Sequence, residues 1–136
     1  MSRHHLLNPD ELAPARGFSH GSLAAEGRTL HIAGQTGHHA DESIDEDMVD
    51  QFARACTAVA EVITDAGGEP GDLVSLTIYT TDVAGYRGRL GPIGEAYRAV
   101  FGTHYPPMAL IGVAELFDPK AKVELVGVAV VPGSNP

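Results

Sequence analysis

Lys122-Val123-Glu124-Leu125-Val126-Gly127-Val128-Ala129-Val130-Val131 is the stretch on which the fold turns. Its composition predicts a strand over 122–131. Val126, Val128 and Val130 share one face with Glu124, and Leu125, Ala129 and Val131 share the other with Val123. From residue 125 onward both faces are apolar. A strand covered on one side only would show polar side chains on the other. Helices cover one face here, and no remaining segment of the chain covers the other. A second subunit is the natural cover, so the strand predicts an oligomer.

Working outward, Pro106-Pro107 forces an extended approach to a strand over 108–115, and Asp118-Pro119 makes the next turn. A further strand spans 73–81. Val74, Leu76 and Ile78 fall on one face, with Ser75, Thr77 and Tyr79 on the other. The second face has no charge, so it meets another chain or lines a cleft. A helix spans 43–66, with Met48, Phe52, Ala55, Cys56, Val59, Val62, Ile63 and Ala66 at three- and four-residue steps. Asp45, Glu46 and Asp47 favour its start and Gly67-Gly68 its end. A second helix spans 84–101 through Leu90, Ile93, Tyr97, Val100 and Phe101, weakened by glycines in its first half. Two short strands, 21–26 and 28–35, flank Glu26-Gly27.

The order is therefore β-β-α-β-α-β-β. The fold class is α+β, with one mixed sheet and both helices on one face. The first two and the last two strands are expected to pair as antiparallel neighbours. The polar segments 1–16 and 132–136 read as loose ends, and the 136 residues between and including them as one domain.

Composition narrows the function. The chain is 43% hydrophobic and 20% charged, ordinary for a soluble globular protein. A formal charge of −9 opposes a nucleic-acid partner and an anionic membrane surface. Cys56 is the single cysteine, so there is no internal disulfide. No signal-peptide pattern opens the sequence and no apolar run is long enough to span a bilayer, which reads as a cytoplasmic protein.

The seven histidines, His4, His5, His20, His31, His38, His39 and His104, show no ligand spacing and read as solvated loop residues; no metal is expected. Cys56 lies on the apolar stripe of the first helix, as an inert packing residue would. There is no nucleophile elbow, P-loop or dinucleotide fingerprint. Glu124 remains. It opens a strand apolar on both faces, and partial desolvation there would suit a general acid or base. A strand-end carboxylate paired with Lys120 or Lys122 fits the same pattern. Glu115 is a weaker second candidate.

An ordered set of short motifs resembles the Rid family, also called YjgF. Arg16-Gly17-Phe18-Ser19-His20 resembles its "GPYSQ" segment, and Ala33-Gly34-Gln35-Thr36-Gly37 its "SGQ" turn. Asp65-Ala66-Gly67-Gly68 with Asp72-Leu73-Val74-Ser75-Leu76-Thr77 resembles "EAAGxxxxDVVKTT". Tyr97-Arg98-Ala99-Val100-Phe101, Tyr105-Pro106-Pro107, Val113-Ala114 and Val123-Glu124-Leu125 complete the series, over about residues 16–131. The resemblance implies a homotrimer of chorismate-mutase-like domains, with ligand clefts between subunits. It implies hydrolysis of reactive enamines or imines to a carbonyl compound and ammonia, without a cofactor.

The departures from the family pattern bear on specificity. Met108 stands where the family's "PARS" arginine grips a substrate carboxylate, and a thioether makes no such fork. Losing a buried charge-assisted pair costs about 2–5 kcal/mol. Phe18 replaces a tyrosine, Leu110 a cysteine and Gly94 an asparagine, so the cleft is more apolar. Glu124 is retained where the family's glutamate positions water, and backbone groups at Ala33, Gly34 and Gln35 remain able to polarise a carbonyl or imine. The expected substrate-binding set is Phe18, Ala33, Gly34, Gln35, Met108 and Leu110.

Three functions are compatible with these residues. The first is a hydrolase or deaminase for a small, less anionic enamine, imine or related carbonyl compound. The second is a trimeric ligand-binding or chaperone-like protein without turnover. The third is the ribonuclease or translation-inhibitor role attached to the family's names, against which the acidic charge argues.

Overall fold

The computed structural model describes residues 2–133, and the valine-rich strand lies inside its sheet rather than at the edge. The elements are β1 (His5–Leu7), β2 (Gly21–Leu23), β3 (Arg28–Gln35), α1 (Met48–Asp65), a 3-10 turn (Pro70–Asp72), β4 (Leu73–Thr80), α2 (Val83–Arg87), α3 (Leu90–Phe101), β5 (Met108–Gly112) and β6 (Val123–Val131). The main sheet runs β3-β6-β4-β5. β6 is antiparallel to both neighbours, and β4 is parallel to β5. The α+β class and the mixed sheet are as expected.

The strand pairings differ from expectation. β5 pairs with β4 and not with β6, because α2 and α3 form a crossover that returns the chain parallel to β4. β6 then crosses to the slot between β3 and β4, the position that suits a strand apolar on both faces. β2 pairs with β1 in a separate ribbon. The N-terminal segment is therefore not loose. Arg3 donates to the carbonyls of Glu26 and Val130, and the buried His4 bridges the Val130 carbonyl and the Ala25 N–H. Of the expected C-terminal tail, 134–136 lies outside the described residues.

Alternation along β6 holds as far as Val128; Val130, on the face of Val126 and Val128, is itself buried. Val123, Leu125, Ala129 and Val131 are buried under the helices, while Glu124, Val126 and Val128 are half-buried on the opposite face. β4 departs by one residue: a bulge at Val74 puts Leu73, not Val74, on the core face with Leu76 and Ile78. Ser75, Thr77 and Tyr79 stand half-buried beside Val126 and Val128, with the exposed Ala109 and Ile111 on the next strand.

Helix boundaries follow local chemistry. Asp47 caps α1 by accepting from the N–H groups of Val49 and Asp50, so residues 43–46 stay outside the helix. The second expected helix splits at Gly88-Arg89 into α2 and α3. Arg89 rejoins the pieces to α1 through a fork to the Asp47 carboxylate, at 2.6 and 3.4 Å. Buried Gln51 is a second staple. Its amide donates to the Asp45 and Lys120 carbonyls and accepts from the Lys122 N–H, fixing the approach to β6. Among the described residues, no helix is long and apolar enough to cross a membrane.

Candidate active site

A cleft of about 660 Å³ opens between α2, α3, β5 and the segment 16–18. Its apolar wall comes from Phe18, Ile78, Tyr86, Ile93, Tyr97, Tyr105, Met108 and Leu110. The alternation of β5 explains two of these: Met108 pairs with Leu76 and Leu110 with Ile78, so both point to the helix side of the sheet. Phe18 arrives on a loop pinned to the start of β5, where the Ser19 N–H donates to the Pro106 carbonyl. Gly17 has φ 74°, a left-handed turn that favours glycine and aims this loop inward. Tyr97 stacks on Tyr105 with centroids 5.5 Å apart, and its hydroxyl donates to the His104 carbonyl. Burial pushes the Tyr86 hydroxyl up to about 12 and the Tyr97 hydroxyl well above the ordinary phenol value. Both are therefore neutral near pH 7.

Phe18, Met108 and Leu110 thus line one cleft. Glu124, Ala33, Gly34 and Gln35 do not join them. Glu124 is on β6, paired with Tyr79, on the face turned away from the cleft. Its carboxylate lies over Gly34, where an added Cβ would fall on Oε1 and push the carboxylate aside. Beside it β3 bulges: Ala33 and Gly34 together face the span that Val126 alone occupies on β6. Gln35 turns back on this bulge, its amide donating to the Ala33 carbonyl at 3.0 Å. Glu124 pairs with neither Lys120 nor Lys122; the Lys122 ammonium donates instead to the Glu46 carbonyl. Among the described residues, the Glu124 carboxylate has no hydrogen-bond or ion-pair partner.

Several histidines are structural rather than solvated. His4 is buried, and buried His104 bonds the Leu73 carbonyl at 2.7 Å, with its pKa lowered by that burial. His38 bridges Thr36 and Asp118, and His39 meets Asp45. Among the described residues, no three metal-binding side chains converge. Cys56 is fully buried, and burial pushes its thiol up to about 12, which keeps it an unreactive packing group.

Arg16, Arg87 and Arg98 also line the cleft, and the sequence reading missed them. One local sign existed: Gly94 lies one helical turn before Arg98, and a glycine there lets the longer side chain fold back over the helix.

The Endoribonuclease L-PSP family profile matches residues 8–131. The protein named "Putative reactive intermediate deaminase TdcF" in Escherichia coli K12 is 28% identical over 125 residues, covering 88% of this chain and 90% of TdcF. A Yersinia pestis protein of unknown function from the conserved Rid family, YyfB, superposes with a TM-score of 0.85 at 28% identity, over 94% of this chain and 98% of its own. A Mycobacterium tuberculosis member of the YjgF/YER057c/UK114 family superposes at 0.65 and 26% identity, over 94% and 99%. With the profile spanning nearly the whole chain and these folds superposing on it end to end, this chain belongs to the Endoribonuclease L-PSP family, the Rid/YjgF proteins.

Proposed function

We propose that the protein is a hydrolase that deaminates a small enamine, imine or related carbonyl compound, as a homotrimer in which Glu124 of one subunit faces the apolar cleft of its neighbour. One observation carries this reading. Glu124 is half-buried, unpartnered in its own chain and seated beside a backbone bulge, yet it lies on the sheet face opposite Met108 and Leu110. A site using both needs two subunits. The uncharged face of Ser75, Thr77, Tyr79, Val126 and Val128 would be buried in the same assembly.

In the reaction, Glu124 accepts a proton from water as the oxygen attacks the imine carbon. The proton then passes to nitrogen to give the tetrahedral carbinolamine; its hydroxyl proton moves through Glu124 to the amine as the C–N bond breaks, releasing ammonia and a carbonyl compound. An enamine first takes a proton at carbon to become the imine. Backbone groups freed by the bulge would stabilise developing charge. Met108 offers no clamp for a carboxylate at the reacting carbon, so the favoured substrate has none there.

A second reading, ligand binding without turnover, draws on the cleft itself. Among the described residues, its lining contains no carboxylate and no histidine to activate water within one chain. Imines generated in situ by an amine or amino-acid oxidase separate the two. Faster ammonia release from imines lacking an α-carboxylate, abolished in Glu124→Gln, supports the hydrolase. No acceleration with any imine selects the binding protein.

A further inference from the structure

The protein carries nine basic residues against eighteen acidic ones, and three of the nine, Arg16, Arg87 and Arg98, line a single cleft. They come from three different segments: the 16–18 loop, the end of α2 and the last turn of α3. Arg3, Arg54 and Arg89 are each paired with a carboxylate. Among the described residues, Arg16, Arg87 and Arg98 make no ion pair and no side-chain hydrogen bond. Arginine is the side chain best shaped to hold a carboxylate or phosphate by two parallel bonds. Like charges lining an apolar cleft also raise the local concentration of an oppositely charged ligand, whatever the net charge.

Gly94 adds a structural reason for the place of Arg98. It sits inside α3, where glycine is unfavourable, and it lines the cleft. A Cβ there would stand 3.0 Å from Arg98 Nη1, so the absent side chain is what lets the guanidinium lie along the helix.

We propose that this cleft binds an amphiphilic oxyanion, with a small alkyl or aryl body against Ile78, Tyr97, Met108 and Leu110 and a distal carboxylate or phosphate held by Arg16, Arg87 and Arg98. The proposal rests on the reading of this cleft as the substrate site, and sharpens it: the substrate's charge lies at the end remote from the reacting carbon. Met108 removes the clamp near that carbon, and the arginines set another at the rim.

The test is calorimetric titration of the full-length protein in its native assembly with 4-phenylbutyrate, 4-phenylbutyl phosphate and the neutral 4-phenylbutyramide. Both anions, or one of them, should bind at least about tenfold tighter than the amide, and tightness should fall as salt rises. A preference between the anions identifies the headgroup. Arg16→Gln, Arg87→Gln and Arg98→Gln alter exposed side chains and should fold normally; at least two should weaken anion binding by about tenfold while leaving amide binding unchanged. Gly94→Ala should weaken it by displacing Arg98, without loss of thermal stability. Equal affinity for amide and anions, no binding of any probe, or indifference to all three Gln changes overturns the proposal. Arginine-dependent anion binding with no imine turnover would retain it and sink the hydrolase. Turnover of imines with no distal anion, at undiminished kcat/KM in the arginine variants, would do the reverse.

Discussion

Glu124 and Gly34 are interlocked across adjacent strands: the carboxylate occupies the space that any side chain at 34 would fill. The contact orients the one acid proposed to act on water. It also ties the β3 bulge to the start of β6.

Gly34→Ala should therefore behave as an activity mutation with little structural effect. The carboxylate must swing away, which a flexible side chain does cheaply. Ammonia release from the preferred imine should fall by roughly 10²–10⁴-fold, the scale of losing a general base, as in Glu124→Gln. Circular dichroism and oligomer mass should not change. Full activity in Gly34→Ala would mean that the observed carboxylate position is not the working one.

The half-buried valines of the sheet face opposite the helices make a separate prediction about assembly. Val128→Asp places a charge where the subunits are proposed to meet, next to Ser75 and His31 on the neighbouring strands. Light scattering should show the mass falling from three chains to one, with secondary structure retained. A trimer that survives Val128→Asp would move the interface elsewhere.

Gln51→Leu should destabilise without touching the cleft. The change strands the Lys122 N–H and the Asp45 and Lys120 carbonyls, all served by one buried amide. Unpaired buried groups cost about 1–3 kcal/mol each, so a loss of roughly 2–4 kcal/mol and a Tm lower by about 10 °C are expected after partial rehydration. Thermal unfolding measures this directly. An unchanged Tm would show that the staple is dispensable.

His104 sets an acid limit on stability. Burial lowers its pKa in the folded state, so the folded protein resists a proton that the unfolded chain takes up near the ordinary histidine value. Its contribution is fully present above about pH 6.5 and is lost as pH falls through the lower folded value. Chemical denaturation between pH 7.5 and pH 5 should show the decline, and His104→Gln should flatten it. An equal slope in both proteins would assign the acid sensitivity to other groups.

Much of the architecture was legible from periodicity. The stripe Met48, Phe52, Ala55, Cys56, Val59 and Ile63 packs as its spacing demanded; that Phe18 joins Met108 and Leu110 in one cleft was implied by the family resemblance and not by periodicity. The buried roles of His4, His104 and Gln51 were not legible. Each serves backbone groups distant in sequence, and a polar residue's partner leaves no mark on local pattern.

By itself the sequence determined the features that bond geometry dictates over short distances. Successive side chains in a strand point to opposite faces, so Glu124 and Leu125 had to part, and Met108 and Leu110 had to agree. Only the tertiary structure decided which strands flank β6, where β3 and β4 bulge, and that Arg16, Arg87 and Arg98 share one cleft. Those outcomes depend on the competition among long-range pairings for the same buried face. A single bulge shifts every later side chain, and no local propensity records the winner.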